Sequence, residues 1–179
     1  MLVAASKIGF YGWGIGIRAW DLTCFSGHAV LATGFWPVAM AVLVPPHRRR
    51  WRAAGIGLGF GLGLLVGISR IAVGAHPPSE VVAGLLLGGA GAGASLRGLA
   101  RSRLPAGSGS LVLVGVAGLT LLVGSRLAPR LPSERWFADA GAMLSGHAGP
   151  YRRKAWHQGR APAPREALPP RPGAREHDR

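Results

Sequence analysis

The sequence predicts an all-α fold: an integral membrane helical bundle of about four transmembrane helices over residues 1–125, then a basic Pro- and Arg-rich tail over 126–179 that is disordered beyond about residue 150. Three observations predict it. Hydrophobic residues make up 49% of the 179 positions and charged residues only 16%, against roughly 25% charged in soluble domains. Four apolar stretches, at 29–44, 53–68, 81–94 and 107–124, show no polar face of the kind a surface helix in so small a protein needs. Charge is also partitioned: long uncharged stretches occur before Ser125 and none after it. The two parts therefore face different solvents.

The four stretches hold 16, 16, 14 and 18 residues, each short of or close to the roughly 20 that span a bilayer. The second carries Gly55, Gly59, Gly63 and Gly67, one every four residues. On a helix these form one smooth stripe against which a neighbouring helix packs closely. Gly57 and Gly61 add a period-two alternation that suits a strand. A membrane strand needs polar lumen-facing positions and several companions, and no other segment alternates. Helix is the consistent reading. In the tail lie eight of the fourteen prolines, with Ala161-Pro162-Ala163-Pro164 and Pro169-Pro170-Arg171-Pro172 near its end. Such composition does not bury a core.

The net charge of +14 raises nucleic-acid binding as a class, but its distribution argues against it. His47-Arg48-Arg49-Arg50-Trp51-Arg52 joins the first two stretches, and Arg97, Arg101 and Arg103 lie between the third and fourth. Arg-rich short loops mark the cytoplasmic side of a membrane protein, and Trp20 and Trp51 suit interface anchors. No nucleic-acid partner is expected. The lone Cys24 excludes an intramolecular disulfide framework and a Cys-rich metal site, and no metal or cofactor is expected.

Polar residues among apolar spans are functional candidates, and here they form two clusters. Ser26-Gly27-His28 precedes the first stretch; Ser69-Arg70 and His76-Pro77-Pro78-Ser79-Glu80 lie between the second and third. Two membrane crossings return both clusters to one face, opposite the first Arg loop and so outside the cytoplasm. Ser26 suits an N-cap, with amides behind it aimed at an anion. Pro77 and Pro78 fit a helical first turn, which makes His76 and Glu80 neighbours at i and i+4. A carboxylate there holds an imidazole in one tautomer, and Arg70 offers a fork of donors for phosphate oxygens. These groups suit phosphoryl transfer without a metal. The second Ser-Gly-His, Ser145-Gly146-His147, is followed by no apolar span and reads as a decoy.

Ser26-Gly27-His28 with Ser69-Arg70-x5-His76-x3-Glu80 resembles the type 2 phosphatidic acid phosphatase superfamily, whose membrane lipid phosphatases share a site design with vanadium haloperoxidases. The resemblance covers about residues 7 to 95 and implies roles residue by residue. His76 is then the nucleophile that forms a phosphohistidine, His28 the general acid and Glu80 the group orienting His76. Ser26, Gly27 and Arg70 bind phosphate, and Lys7 is what remains of the family's first motif. That motif usually reads Lys, six residues, Arg-Pro; here Arg18 follows Lys7 after ten residues with Ala19 next. The usual Asp is Glu80, and about six spans are usual, so an N-terminal pair of spans or a partner subunit in an oligomer is expected to complete the bundle.

The implied function is a membrane phosphatase that hydrolyses a lipid phosphate or polyprenyl diphosphate. Its place would be a bacterial inner membrane, with the site on the periplasmic or extracellular face. The alternative is a truncated, non-catalytic relative that binds lipid or a partner.

Overall fold

The structure, a computed structural model, describes residues 1–45, 47–101 and 133–165. Among these residues all the named elements are helical: α1 (Leu2–Trp13), a 3-10 turn (Arg18–Trp20), α2 (Gly27–Leu43), α3 (Arg49–Ala72), α4 (Pro78–Arg101), α5 (Ser133–Ser145) and α6 (Arg153–His157). The chain divides into two units. One holds Phe25–Leu131 and therefore α2–α4; the other holds Met1–Cys24 with Pro132–Arg179 and therefore α1, α5 and α6.

In the first unit the expected glycine stripe is the packing surface. A Cβ on Gly59 would lie 2.6 Å from the Cα and N of Pro37, and one on Gly63 would lie 2.8 Å from the Cα of Thr33. Gly55 faces Met40, while Gly57 and Gly61 have nothing within 4 Å. The period-two alternation thus resolves into one packed stripe and one open one, as a helix requires. Along the same stripe of α2, Gly84 meets the backbone of Ser26 and Gly88 that of Val30, and Thr33 touches both Gly63 and Gly88. These pairings make α3 antiparallel to α2, and α4 parallel to it. Glycines on both neighbours let them approach one face of α2 with backbones in near contact.

The helices α3 and α4, 24 residues each, are long and apolar enough to cross a membrane, whereas α2 is an apolar helix of 17 residues. Their outward faces are apolar as well: Leu58, Leu64, Leu65 and Ile68 on α3 and Val82 and Leu86 on α4 are exposed. Such faces need lipid around them, since in water each exposed side chain forgoes about 1.5–3 kcal/mol of transfer energy. The fold is a helical membrane bundle. The fourth apolar stretch, 107–124, lies outside the described residues.

The second unit corrects the expectation for the tail. Residues 151–165, expected to carry no packed structure, are held against the N-terminal segment. Trp156 of α6 is 2% exposed, donates its indole N–H to the Gly14 carbonyl at 2.7 Å and meets Phe10 edge-on. Arg153 pairs with Asp21 at 2.9 Å and donates to Thr23 Oγ1 at 2.9 Å. Gly14, at φ +66°, ends α1 where a Cβ would strike the Tyr151 ring. Proline-rich composition describes the average of the tail, but one buried indole with a satisfied N–H anchors this part of it. Residues 166–179 lie outside the described residues.

The α1 and α5 helices meet at Gly12 and Gly141, where a Cβ on Gly12 would come within 2.8 Å of the Gly141 carbonyl oxygen. The second Ser-Gly-His is part of this packing: His147 Nδ1 lies 3.0 Å from the Gly12 carbonyl and 2.8 Å from Ser145 Oγ. Its imidazole is engaged in holding α1 and the end of α5 together.

Candidate functional site

The site is built at one end of the α2–α4 unit, where two helices begin and one ends. The end of α3 sets the geometry. Val73 is its C-cap, Gly74 follows at φ +66°, and the amides of Gly74 and Ala75 bond the carbonyls of Ile71 (2.9 Å) and Arg70 (3.0 Å). This is a Schellman closure, which a left-handed glycine permits at little cost. It folds the chain back so that the His76 amide also faces the Arg70 carbonyl, at 3.4 Å.

α4 then starts with Pro78 in its first turn, and the Pro77 carbonyl accepts from Glu80 at 3.2 Å and from Val81 at 3.3 Å. That turn brings Glu80 Oε2 to 2.7 Å from His76 Nδ1. The Glu80 side chain is 0% exposed and that of His76 14%. A carboxylate so buried needs a charged or hydrogen-bonded partner, and His76 is one. With the carboxylate accepting, Nδ1 carries the proton and the lone pair of Nε2 is available.

Ser26 joins this pair from α2. Its amide donates to the Glu80 carbonyl at 3.1 Å, which ties the beginnings of α2 and α4 together. Gly84 makes this approach possible, because a Cβ there would sit 2.9 Å from the Ser26 carbonyl oxygen. Ser26 is the N-cap residue of α2, as expected, yet its side chain makes no cap hydrogen bond. Its Oγ is buried and has no hydrogen-bond partner among the described residues, and the same holds for Arg70 Nε. An unmade hydrogen bond at a buried group costs about 1–3 kcal/mol; Thr33 Oγ1, within α2, is a third such group.

The tertiary structure thus brings Ser26, Gly27 and His28 to the same end as Arg70, His76 and Glu80. Gly27 is the first residue of α2, and His28, next to it, is exposed. Ser69 is turned into its own helix, with Oγ donating to the Val66 carbonyl at 2.7 Å. Lys7 lies in the other unit, buried and ion-paired with Glu134 of α5. Tyr11 Oη donates to the same carboxylate at 2.9 Å, and the Lys7 ammonium lies 5.6 Å from the centre of the Phe137 ring. Arg18 lies 5.5 Å from the Trp156 ring. The partnership of Lys7 with Glu134 was not legible in the sequence, where the two lie 127 positions apart. A signal for α5 was present in the spacing of Trp136, Phe137, Ala140, Met143 and Leu144.

Arranged so, the α2–α4 end offers an oriented imidazole, a second histidine, a guanidinium and two helix N-termini whose partial positive charge favours an anion. The family model described as PAP2 superfamily matches residues 10–104. An uncharacterized 22.5 kDa protein in the cps region of Klebsiella pneumoniae is 48% identical over 90 residues, which cover 50% of this chain and 43% of that protein. Glucose-6-phosphatase 3 of Rattus norvegicus is 36% identical over 107 residues, covering 57% of this chain and 29% of that protein. Glucose-6-phosphatase catalytic subunit 1 of Haplochromis xenognathus is 34% identical over 96 residues, covering 44% and 35%. The chain thus spans less than half the length of each of these relatives. No solved structure matches it significantly.

Proposed function

The chain belongs to the PAP2 superfamily, and from that premise and the geometry around His76 we propose that it is a membrane phosphatase acting on a lipid phosphate or diphosphate through a phosphohistidine. The observation that carries the reading is the contact of 2.7 Å between His76 Nδ1 and the buried Glu80. It leaves Nε2 as the nucleophile. Nε2 attacks phosphorus, the P–O bond to the leaving group breaks, and His28 gives its proton to the departing oxygen. His28 then takes a proton from water, whose oxygen displaces Nε2 and releases phosphate. Arg70, Ser26 and the first amides of α2 hold the equatorial oxygens, with Ser26 Oγ and Arg70 Nε gaining the partners they lack among the described residues. The assignment of Lys7 to the phosphate rests on the family resemblance, since its ammonium is engaged by Glu134.

The lipid is favoured by the surroundings. Leu31 on α2, Ile68 and Ile71 on α3 and Val82 on α4 are exposed within two turns of the cluster, so an acyl or prenyl chain lying beside the helices meets apolar surface. The Arg-rich start of α3, at the other end of the helix, supports an outer-face position for the cluster by the charge rule. A water-soluble phosphomonoester is the second reading, favoured by the resemblance to two proteins named glucose-6-phosphatase.

The test is phosphate release by membranes carrying the wild type or His76→Ala, from a panel of lipid phosphates and glucose 6-phosphate. Loss of release in the mutant, with vanadate inhibition of the wild type, supports the mechanism, and the preferred member of the panel decides between the substrates. Equal release by both proteins rejects His76 as nucleophile. No release by either, with both well inserted, favours a non-catalytic relative that binds lipid or a partner.

A further inference from the structure

The opposite end of the α2–α4 unit carries a charge that the fold does not neutralise. Arg48 is the N-cap residue of α3, and Arg49, Arg50 and Arg52 occupy its first turn. A helix N-terminus already bears about half a positive charge and is stabilised by carboxylates; four guanidiniums there have the wrong sign for it. Arg97 and Arg101 add to them. Gly67 of α3 faces Val81 and Leu85 of α4, and this antiparallel register sets the last turns of α4 level with the first turns of α3. Glu80 is the one carboxylate among the described residues of this unit, and it lies at the other end, bonded to His76. Nothing acidic in the described part of the unit compensates the cluster.

Its depth identifies the counter-charge. α3 is 24 residues long, about 36 Å at 1.5 Å per residue, against a hydrocarbon core of about 30 Å. With its exposed leucines in the core, its arginines stand at the level of the headgroups. Trp51, in the middle of the run, is 70% exposed, and an indole with neighbouring arginines is the side-chain pairing that bilayer interfaces favour. We infer that Arg48, Arg49, Arg50 and Arg52, with Arg97 and Arg101 beside them, form an interaction surface that selects anionic phospholipid over zwitterionic lipid, at the end of the bundle remote from His76. The inference rests on charge and depth, and it holds whether or not the protein is a phosphatase.

The experiment uses the full chain reconstituted in phosphatidylcholine vesicles with spin-labelled phosphatidylglycerol or phosphatidylcholine. The readout is the fraction of each label immobilised by the protein. Juxtamembrane cations contribute on the order of 1 kcal/mol each near an anionic surface, so the wild type is expected to prefer the phosphatidylglycerol label by about tenfold, less at high salt. Replacing all four α3 arginines by Gln removes most of the preference, while replacing them by Lys preserves most of it. The double variant Arg97→Gln/Arg101→Gln gives an intermediate loss and tests the surface should the fourfold Gln variant fail to insert. Equal immobilisation of both labels by the wild type overturns the inference, as does an undiminished preference in the Gln variants. Displacement of the lipid label by an oligonucleotide at physiological salt overturns it too, since the surface would then serve a different polyanion.

Discussion

At the scale of the residue, the site turns on two buried groups of opposite circumstance. Glu80 is buried and partnered; Ser26 is buried and its hydroxyl is not. Glu80→Gln keeps the shape but no longer fixes the proton on Nδ1, so it is expected to lower kcat by roughly 10³–10⁴-fold, by analogy with the carboxylate of a serine-protease triad, with a small change in KM. Glu80→Asp, which restores the carboxylate usual in the family, retains a measurable fraction of the rate. Steady-state kinetics on the preferred substrate checks both, and a Gln variant as fast as the wild type would remove the orienting role. Ser26→Ala removes an atom that makes no hydrogen bond among the described residues. It is therefore expected to leave thermal stability unchanged or slightly raised while weakening vanadate inhibition by about 10- to 150-fold, corresponding to one hydrogen bond of about 1.5–3 kcal/mol to a charged acceptor. A Ser26→Ala protein of lowered Tm and unaltered vanadate affinity would mean that the hydroxyl is structural. Of these features, the pairing of His76 with Glu80 was legible in the sequence because i and i+4 is a local relation. The unpartnered Ser26 hydroxyl was not: the capping bond expected of it is absent, and its burial depends on the close approach of α4 at Gly84, where a Cβ would sit 2.9 Å from the Ser26 carbonyl oxygen.

At the scale of the element, the glycines of α3 divide into those that touch α2 and those that do not. Gly59→Ala puts a methyl 2.6 Å from the Pro37 backbone and forces the helices apart, an overpacking expected to cost about 1–3 kcal/mol. Gly57→Ala and Gly61→Ala enter open space and gain up to about 1 kcal/mol from reduced backbone freedom. Thermal unfolding in detergent distinguishes them: Gly59→Ala lowers Tm, and the other two hold or raise it. Similar losses at all three positions would contradict the one-sided stripe. The four-residue spacing of this stripe was plain in the sequence, since helix periodicity is a property of a single segment. Which helix it would meet was not, and neither was the second contact of α2 with Gly84 and Gly88.

At the scale of the whole molecule, the chain is two units, and the second joins its first 24 residues to its last 48. Trp156→Ala removes the indole from its bond to Gly14 and its contact with Phe10, at an expected cost of about 3–5 kcal/mol to that unit. Limited trypsin digestion then cuts faster at Arg152, Arg153, Lys154 and Arg160, while the α2–α4 unit keeps its protection. An unchanged cleavage rate would show that α6 contributes little to holding the tail.

The sequence by itself determined what depends on neighbours within about a turn: the apolar helices, the Arg run that opens α3, the glycine stripe and the spacing of Arg70, His76 and Glu80. These follow from side-chain chemistry and the 3.6-residue period, which no distant segment alters. Only the tertiary structure decided what depends on distant segments meeting. It set Ser26 against Glu80, paired Lys7 with Glu134, and folded residues 151–165 of a proline-rich tail onto the N-terminal segment. Each is a contact whose entropic cost is met by burial at one particular place, and composition averages that place away.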